Sequence, residues 1–106
     1  MSSLITQHCT PKVDKADAAA VAAWLKELPG WTVSGDLLSR RYDFGNYYET
    51  IAFVNLVAWV ANRQDHHPDL EVGYNRCRVS YSTHSVGGLS RNDFICAAHI
   101  DAAFAG

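Results

Sequence analysis

Apolar residues recur along this chain in two rhythms, and the switches between them mark seven elements. Val21, Trp24, Leu25 and Leu28 stand three and four apart, which is one stripe of a helix. Asp14 and Asp17 precede them as acidic N-terminal residues. The spacing predicts a helix over 12–28 that Pro29-Gly30 ends. Residues 1–11 show no period and are expected to form a loose arm. The rhythm then drops to two. Residues 31–34 predict a short strand, and Gly35-Asp36 a turn. Leu38, Arg40, Tyr42 and Phe44 alternate with Leu37, Ser39, Arg41 and Asp43. That predicts a second strand hairpinned to the first, with Leu37 out of phase.

Residues 47–65 carry the strongest helical signal. Ile51, Val54, Leu56, Val57, Ala58, Val60 and Ala61 cover more than one stripe. A helix this apolar needs cover on more than one side. A sheet can supply one cover and a second subunit the other, so a homo-oligomer is expected. Leu70, Val72 and Tyr74 then alternate with polar positions or glycine, as do Cys77, Val79, Tyr81 and Thr83. The turn residue Asn75 between the two runs makes a second hairpin. Ser90-x-x-Asp93 reads as a capping box opening a last helix with Phe94, Ile95, Ala97, Ala98 and Ala102 inside. The order α-β-β-α-β-β-α predicts an α+β fold, a four-stranded antiparallel sheet with helices packed on one face.

Composition narrows the class. The 106 residues, 48% hydrophobic, suit a single domain over 1–106 with a real core. A formal charge of −2 without any basic run gives no electrostatic basis for direct nucleic-acid binding. Arg40, Arg41, Arg76 and Arg78 fall in the strands and are read as their solvated faces. Three cysteines, an odd number with no C-x-x-C pair, predict free thiols in a reducing cytoplasm. The longest apolar run, 51–61, is broken by Asn55 and too short to span a bilayer. No signal peptide is apparent. A cytoplasmic protein without membrane contact is expected.

The candidate chemistry lies in Asp65-His66-His67-Pro68-Asp69 and in Thr83-His84. Pro68 disfavours the α region for His67, so the long helix should end near His66. There the negative end of the helix dipole favours an imidazolium, a proton donor near neutral pH. If the second hairpin's strands pair, the two segments meet at one end of the sheet, and three imidazoles line one cleft. His8 and His99 lack such context and are read as structural or exposed. Three chemistries compete. A zinc site can use three imidazoles, but no two histidines stand four apart on a helix and adjacent ones chelate poorly. A hydrolase triad would need a nucleophile. Ser82 and Ser85 flank the Thr83-His84 pair, but no G-x-S-x-G elbow occurs. Metal-free acid/base catalysis on a small substrate needs only the titrating groups present.

These segments resemble a known family. Asp65-His66-His67-Pro68-Asp69, Tyr74-Asn75, Ser82-Thr83-His84, Gly88-Leu89-Ser90 and Asp93 look like the pterin-4a-carbinolamine dehydratases, as do Leu28-Pro29-Gly30-Trp31 and Ala52-Phe53-Val54-Asn55. The likeness runs from about Ala16 to Ala102. It implies the same sheet and helices, assembled as a dimer or tetramer. It implies dehydration of a 4a-hydroxytetrahydropterin to the quinonoid dihydropterin, with no metal or organic cofactor. It gives His66 and His84 as general acids for the two faces of the substrate and His67 as the binding or base-side histidine. Asp65, Pro68, the loop with Ser82, Thr83 and Ser85, and Asp93 correspond to pterin contacts. Two positions depart from the pattern. Asn62 stands where relatives often have a glutamate, one turn before His66, which predicts a weaker acid there unless Asp65 compensates. Leu70 stands where some have a tryptophan, which thins one wall. Two other roles stay open: a non-catalytic dimerisation module for a transcription-factor partner, using the broad helix over 47–61, and a pterin-handling protein near molybdopterin metabolism.

Overall fold

Alternation along the strands sorts the sheet into an apolar face and a charged one. The structure, a computed structural model describing residues 3–105, contains β1 (Thr32–Ser34), β2 (Leu37–Asp43), β3 (Asp69–Val72) and β4 (Arg76–Tyr81). They form one antiparallel sheet in the order β1-β2-β4-β3. Across the central ladder Leu38 faces Tyr81 and Tyr42 faces Cys77. These side chains and Val79 are buried. Between them Arg41 faces Arg78 in solvent, and each takes a carboxylate, Asp43 at 3.0 Å and Glu71 at 4.0 Å. Those pairings relieve the like charges set opposite each other.

The α-helices among the described residues are α1 (Ala18–Leu25), α2 (Tyr47–Gln64) and α3 (Arg91–Ala105). The element order and one-faced packing are those the sequence predicts. Phe94, Ile95, Cys96, Ala97 and Ile100 of α3 and Phe53, Val57, Val60 and Ala61 of α2 are buried against the apolar face. The far side of α2 keeps Tyr48 82% and Trp59 58% exposed. No helix among the described residues is long and apolar enough to cross a membrane.

Three expectations need correction. First, α1 starts six residues later than its stripe suggests. Asp17 is the N-cap, its carboxylate accepting from Ala20 N–H at 2.8 Å. The chain before it is extended: Lys15 bridges to Ser90, and Ala16 N–H donates to Leu89 C=O at 2.8 Å. A backbone tied to another strand-like segment cannot also coil. Second, the arm is not loose over its described part. Leu4 opens a 3₁₀ turn (Leu4–Thr6), is 0% exposed and donates its N–H to Glu27 at 3.0 Å. One leucine that fills a hole in the core leaves no period in the sequence. Met1 and Ser2 lie outside the described residues. Third, Arg40 is on the apolar face, not a solvated one. Its guanidinium lies over the Tyr42 ring at 4.4 Å and 3.1 Å from Asp101, which makes that position tolerable.

Candidate active site

The end of α2 sets the site. Asp65 takes the left-handed conformation with φ 51°. Its N–H donates to Asn62 C=O at 3.3 Å, and His66 N–H donates to Ala61 C=O at 3.1 Å. This is a Schellman closure with aspartate where glycine is usual. The turn swings the chain out of the helix at His66, as Pro68 demands. The one-turn relation between Asn62 and His66 is therefore broken, and Asn62 is exposed.

His66 is fixed on every side but one. Its ring stacks on Tyr81 at 5.2 Å and 21°. Its carbonyl accepts the Tyr81 O–H at 3.2 Å. Burial pushes the Tyr81 phenol far above its ordinary value, so that donor stays protonated. The ring Nε2 lies 2.5 Å from Asp93 Oδ1. Asp93 is fully buried. Its Oδ2 accepts the Thr83 hydroxyl at 2.8 Å and the Ser90 N–H at 2.9 Å. A carboxylate surrounded by donors acts as acceptor, which makes Nε2–H the donor from His66. Nδ1 is then the one ring nitrogen free for an outside molecule. The hydroxyl protons are ordered in the same way. Thr83 gives its only proton to Asp93, so Ser90 Oγ–H donates to Thr83 Oγ1 at 2.8 Å. Ser90 Oγ in turn accepts from Asn92 N–H at 3.2 Å.

The other candidates flank His66 and Thr83 in the chain. The β3–β4 register ends at Asp69 opposite Ser80, so 66–67 and 82–83 leave the sheet at the same end. Thr83 N–H donates to Gly88 C=O at 2.8 Å, closing a loop whose tip is the 3₁₀ turn His84–Val86. His67, His84, Asp65 and Ser85 are exposed; Pro68 and Ser82 are half-buried. Ser85 and Val86 form one wall of a cavity of about 480 Å³, opposite Pro11, Lys12, Val13 and Asp14 of the arm.

The structure thus joins His66, Thr83 and Asp93 directly, whereas His67, His84 and Ser85 are exposed at the same end of the sheet, and the cavity that Ser85 lines holds none of the three histidines. Asp93 lies behind His66 and not on the open surface. Leu70 packs against the core. His99 donates Nε2–H to Gln7 C=O at 2.8 Å, and His8 is exposed. Sequence reasoning missed Tyr81 and Ser90 as supports of the site. Ser90 carried a signal as the head of the capping box; Tyr81 read only as a strand residue. Among the described residues no three His, Cys, Asp or Glu side chains group so as to hold a metal ion.

The likeness to known proteins agrees with this geometry. The family model "Pterin 4 alpha carbinolamine dehydratase" matches residues 14–103. A protein of Nitrosospira multiformis with a provisional pterin-4-alpha-carbinolamine dehydratase name is 46% identical over 98% of this chain and 95% of its own. One of Chromobacterium violaceum, named likewise, is 49% identical over 96% of each chain. A crystal structure of a transcriptional coactivator/pterin dehydratase from Brucella melitensis superposes with TM-score 0.80 at 26% identity. It covers 84% of this chain and 97% of that one. The matched stretch holds the buried Asp93 and all three histidines of the site, and with it the chain belongs to the pterin-4a-carbinolamine dehydratase family.

Proposed function

We propose that this protein dehydrates a 4a-hydroxytetrahydropterin, of the tetrahydrobiopterin type, to the quinonoid dihydropterin and water. The observation that carries the reading is the clamped His66, with Asp93 on Nε2 and Nδ1 left open, at the sheet end shared with His67 and His84. Loss of water from a carbinolamine needs a proton delivered to the 4a-hydroxyl. It also needs a proton taken from N5, whose lone pair expels that hydroxyl. His66 through Nδ1 and His84 act as general acids on the two substrate faces, and His67 serves the N5 side. Asp65, Pro68, Ser82 and Ser85 contact the pterin directly. Thr83 contributes through its backbone, because its hydroxyl is spent on Asp93. Asp93 acts by aiming His66. The reaction draws on no metal or organic cofactor. It recycles the pterin that aromatic amino acid hydroxylases release, in the cytoplasm, from a homo-oligomer that covers the exposed Tyr48 and Trp59 face of α2.

The test is dehydration by purified protein, with and without chelator, beside His66→Ala and His84→Ala. Chelator-insensitive activity that collapses in either variant is expected. Folded protein no faster than the spontaneous reaction would sink the proposal. A second reading is favoured by the exposed aromatic face of α2 and by the coactivator name of the Brucella relative. In that reading the chain is a dimerisation module for a transcription-factor partner. Its mark would be a protein partner retained by His66→Ala and lost on Trp59→Ala.

A further inference from the structure

Two thiols far apart in sequence meet beside the histidine site. Cys9 Sγ and Cys96 Sγ are 3.5 Å apart, 87 positions distant along the chain. Cys96 is fully buried on α3, and Cys9 is half-buried on the arm. The arm is held around Cys9. Cys9 N–H donates to Gln64 Oε1 at 2.8 Å, and Thr10 bonds Asn92 in both directions at 3.2 and 2.8 Å. The sulfurs are therefore presented to each other by a fixed frame. A disulfide needs about 2.05 Å between them, about 1.5 Å less than the present gap. The third thiol, Cys77, is buried within β4 and meets neither of the other two sulfurs.

We propose that Cys9 and Cys96 form a reversible disulfide that latches the N-terminal arm onto α3 when the protein meets a peroxide. Cys9 reacts first because it is the one solvent reaches. Its thiolate attacks one peroxide oxygen, the O–O bond breaks, hydroxide leaves, and Cys9 becomes a sulfenic acid. Cys96 then attacks the Cys9 sulfur, the S–O bond breaks, and the leaving hydroxide takes up the Cys96 proton as water. Two thiols and one hydrogen peroxide give one disulfide and two waters. The hydrogen bond with Cys9, then burial, push the Cys96 thiol well above its ordinary range. Its burial also keeps peroxide from it, so it serves as the resolving thiol.

The latch bears on the site through two contacts. Cys96 S–H donates to His66 C=O at 3.9 Å. Two residues beyond Cys9, Pro11 begins the wall that faces Ser85 and Val86 across their cavity. Oxidation fixes that wall.

The experiment treats the full chain with graded hydrogen peroxide and maps peptides without reduction. A Cys9–Cys96 linked peptide, lighter by two hydrogens and reversed by dithiothreitol, is expected. Closing so long a loop should raise the melting temperature by roughly 5–15 °C. Trypsin cleavage at Lys12 and Lys15 should slow several-fold. All three changes should vanish in Cys9→Ser, a half-buried arm position at the edge of the core. Cys9 driven to sulfinic acid, or bridged to another molecule, while Cys96 stays a free thiol would overturn the proposal. So would the same thermal gain in peroxide-treated Cys9→Ser.

Discussion

His66 Nε2 and Asp93 Oδ1 lie 2.5 Å apart, their side chains 14% and 0% exposed. Burying a carboxylate is costly unless donors surround it, and Asp93 has donors on both oxygens. One of these donors is the N–H of Ser90, the helix cap. The carboxylate that accepts the capping Ser90 N–H in the first turn of α3 is thus also the one that aims His66. Asp93→Asn keeps the shape but turns one acceptor into an NH₂ group that faces other donors. The dehydration rate should fall on the order of 10- to 100-fold, as for carboxylates behind metal-bound histidines. Stability should fall by about 1–3 kcal/mol. Single-turnover rates and thermal melts check both. Wild-type turnover by the variant would show that His66 needs no aiming.

Thr83 offers a finer probe of the same network. Its hydroxyl donates to Asp93 and accepts from Ser90. Thr83→Val keeps the volume, removes a donor from Asp93 and leaves the buried Ser90 O–H without an acceptor. An orphaned buried hydroxyl costs about 1–3 kcal/mol. Thr83→Ser should recover most of that. Urea unfolding midpoints at constant slope measure the difference. Equal midpoints for valine and threonine would refute the proton order given above.

These two variants also show what was legible in the sequence. Periods of two and of three to four revealed every strand and α-helix, though not the start of α1 or the Leu4–Thr6 turn, because each such element buries one face. Ser90-x-x-Asp93 was readable as a cap because capping is local. Its second role was not readable, since it depends on α3 and the end of α2 meeting in space. For the same reason the sequence pointed to Asn62, one turn before His66, when the carboxylate that serves His66 comes from α3. A left-handed aspartate ends α2 before that turn is completed. The buried Leu4 and the tethered Lys15 were invisible because each is held by contacts distant in sequence, which leave no local period.

Asp65 holds that left-handed position at a conformational cost of about 1–2 kcal/mol. Glycine meets no such cost there. Asp65→Gly should therefore leave stability unchanged or raise it by up to about 1 kcal/mol, after its greater unfolded entropy is counted. Activity should fall if the carboxylate touches the pterin. A variant that melts higher and works less well would show strain kept for function. One that melts lower would mean that the Asp65 side chain, and not its backbone, supports the turn.

Two buried phenols set an alkaline limit on the fold. Burial first, then the Asp101 carboxylate, raise Tyr42 far above its ordinary 10.0. Burial first, then Cys96, do the same for Tyr81. The folded state therefore keeps two protons that the unfolded chain releases above about pH 10. Where the unfolded state binds fewer protons, stability falls as pH rises. Below that pH both states hold the protons, and these groups contribute a constant. Stability should thus be flat in the tyrosines through neutral pH and decline steeply past about pH 10. Tyrosinate absorbance and circular dichroism, followed together, test this. Of the five tyrosines, two should ionise only with loss of the helical signal, in one cooperative step. In Tyr81→Phe that step should carry one phenol, and His66 C=O loses its O–H donor. The catalytic rate should then drop while the alkaline midpoint moves up. Ionisation of all five phenols before any helix is lost would contradict the burial of both rings.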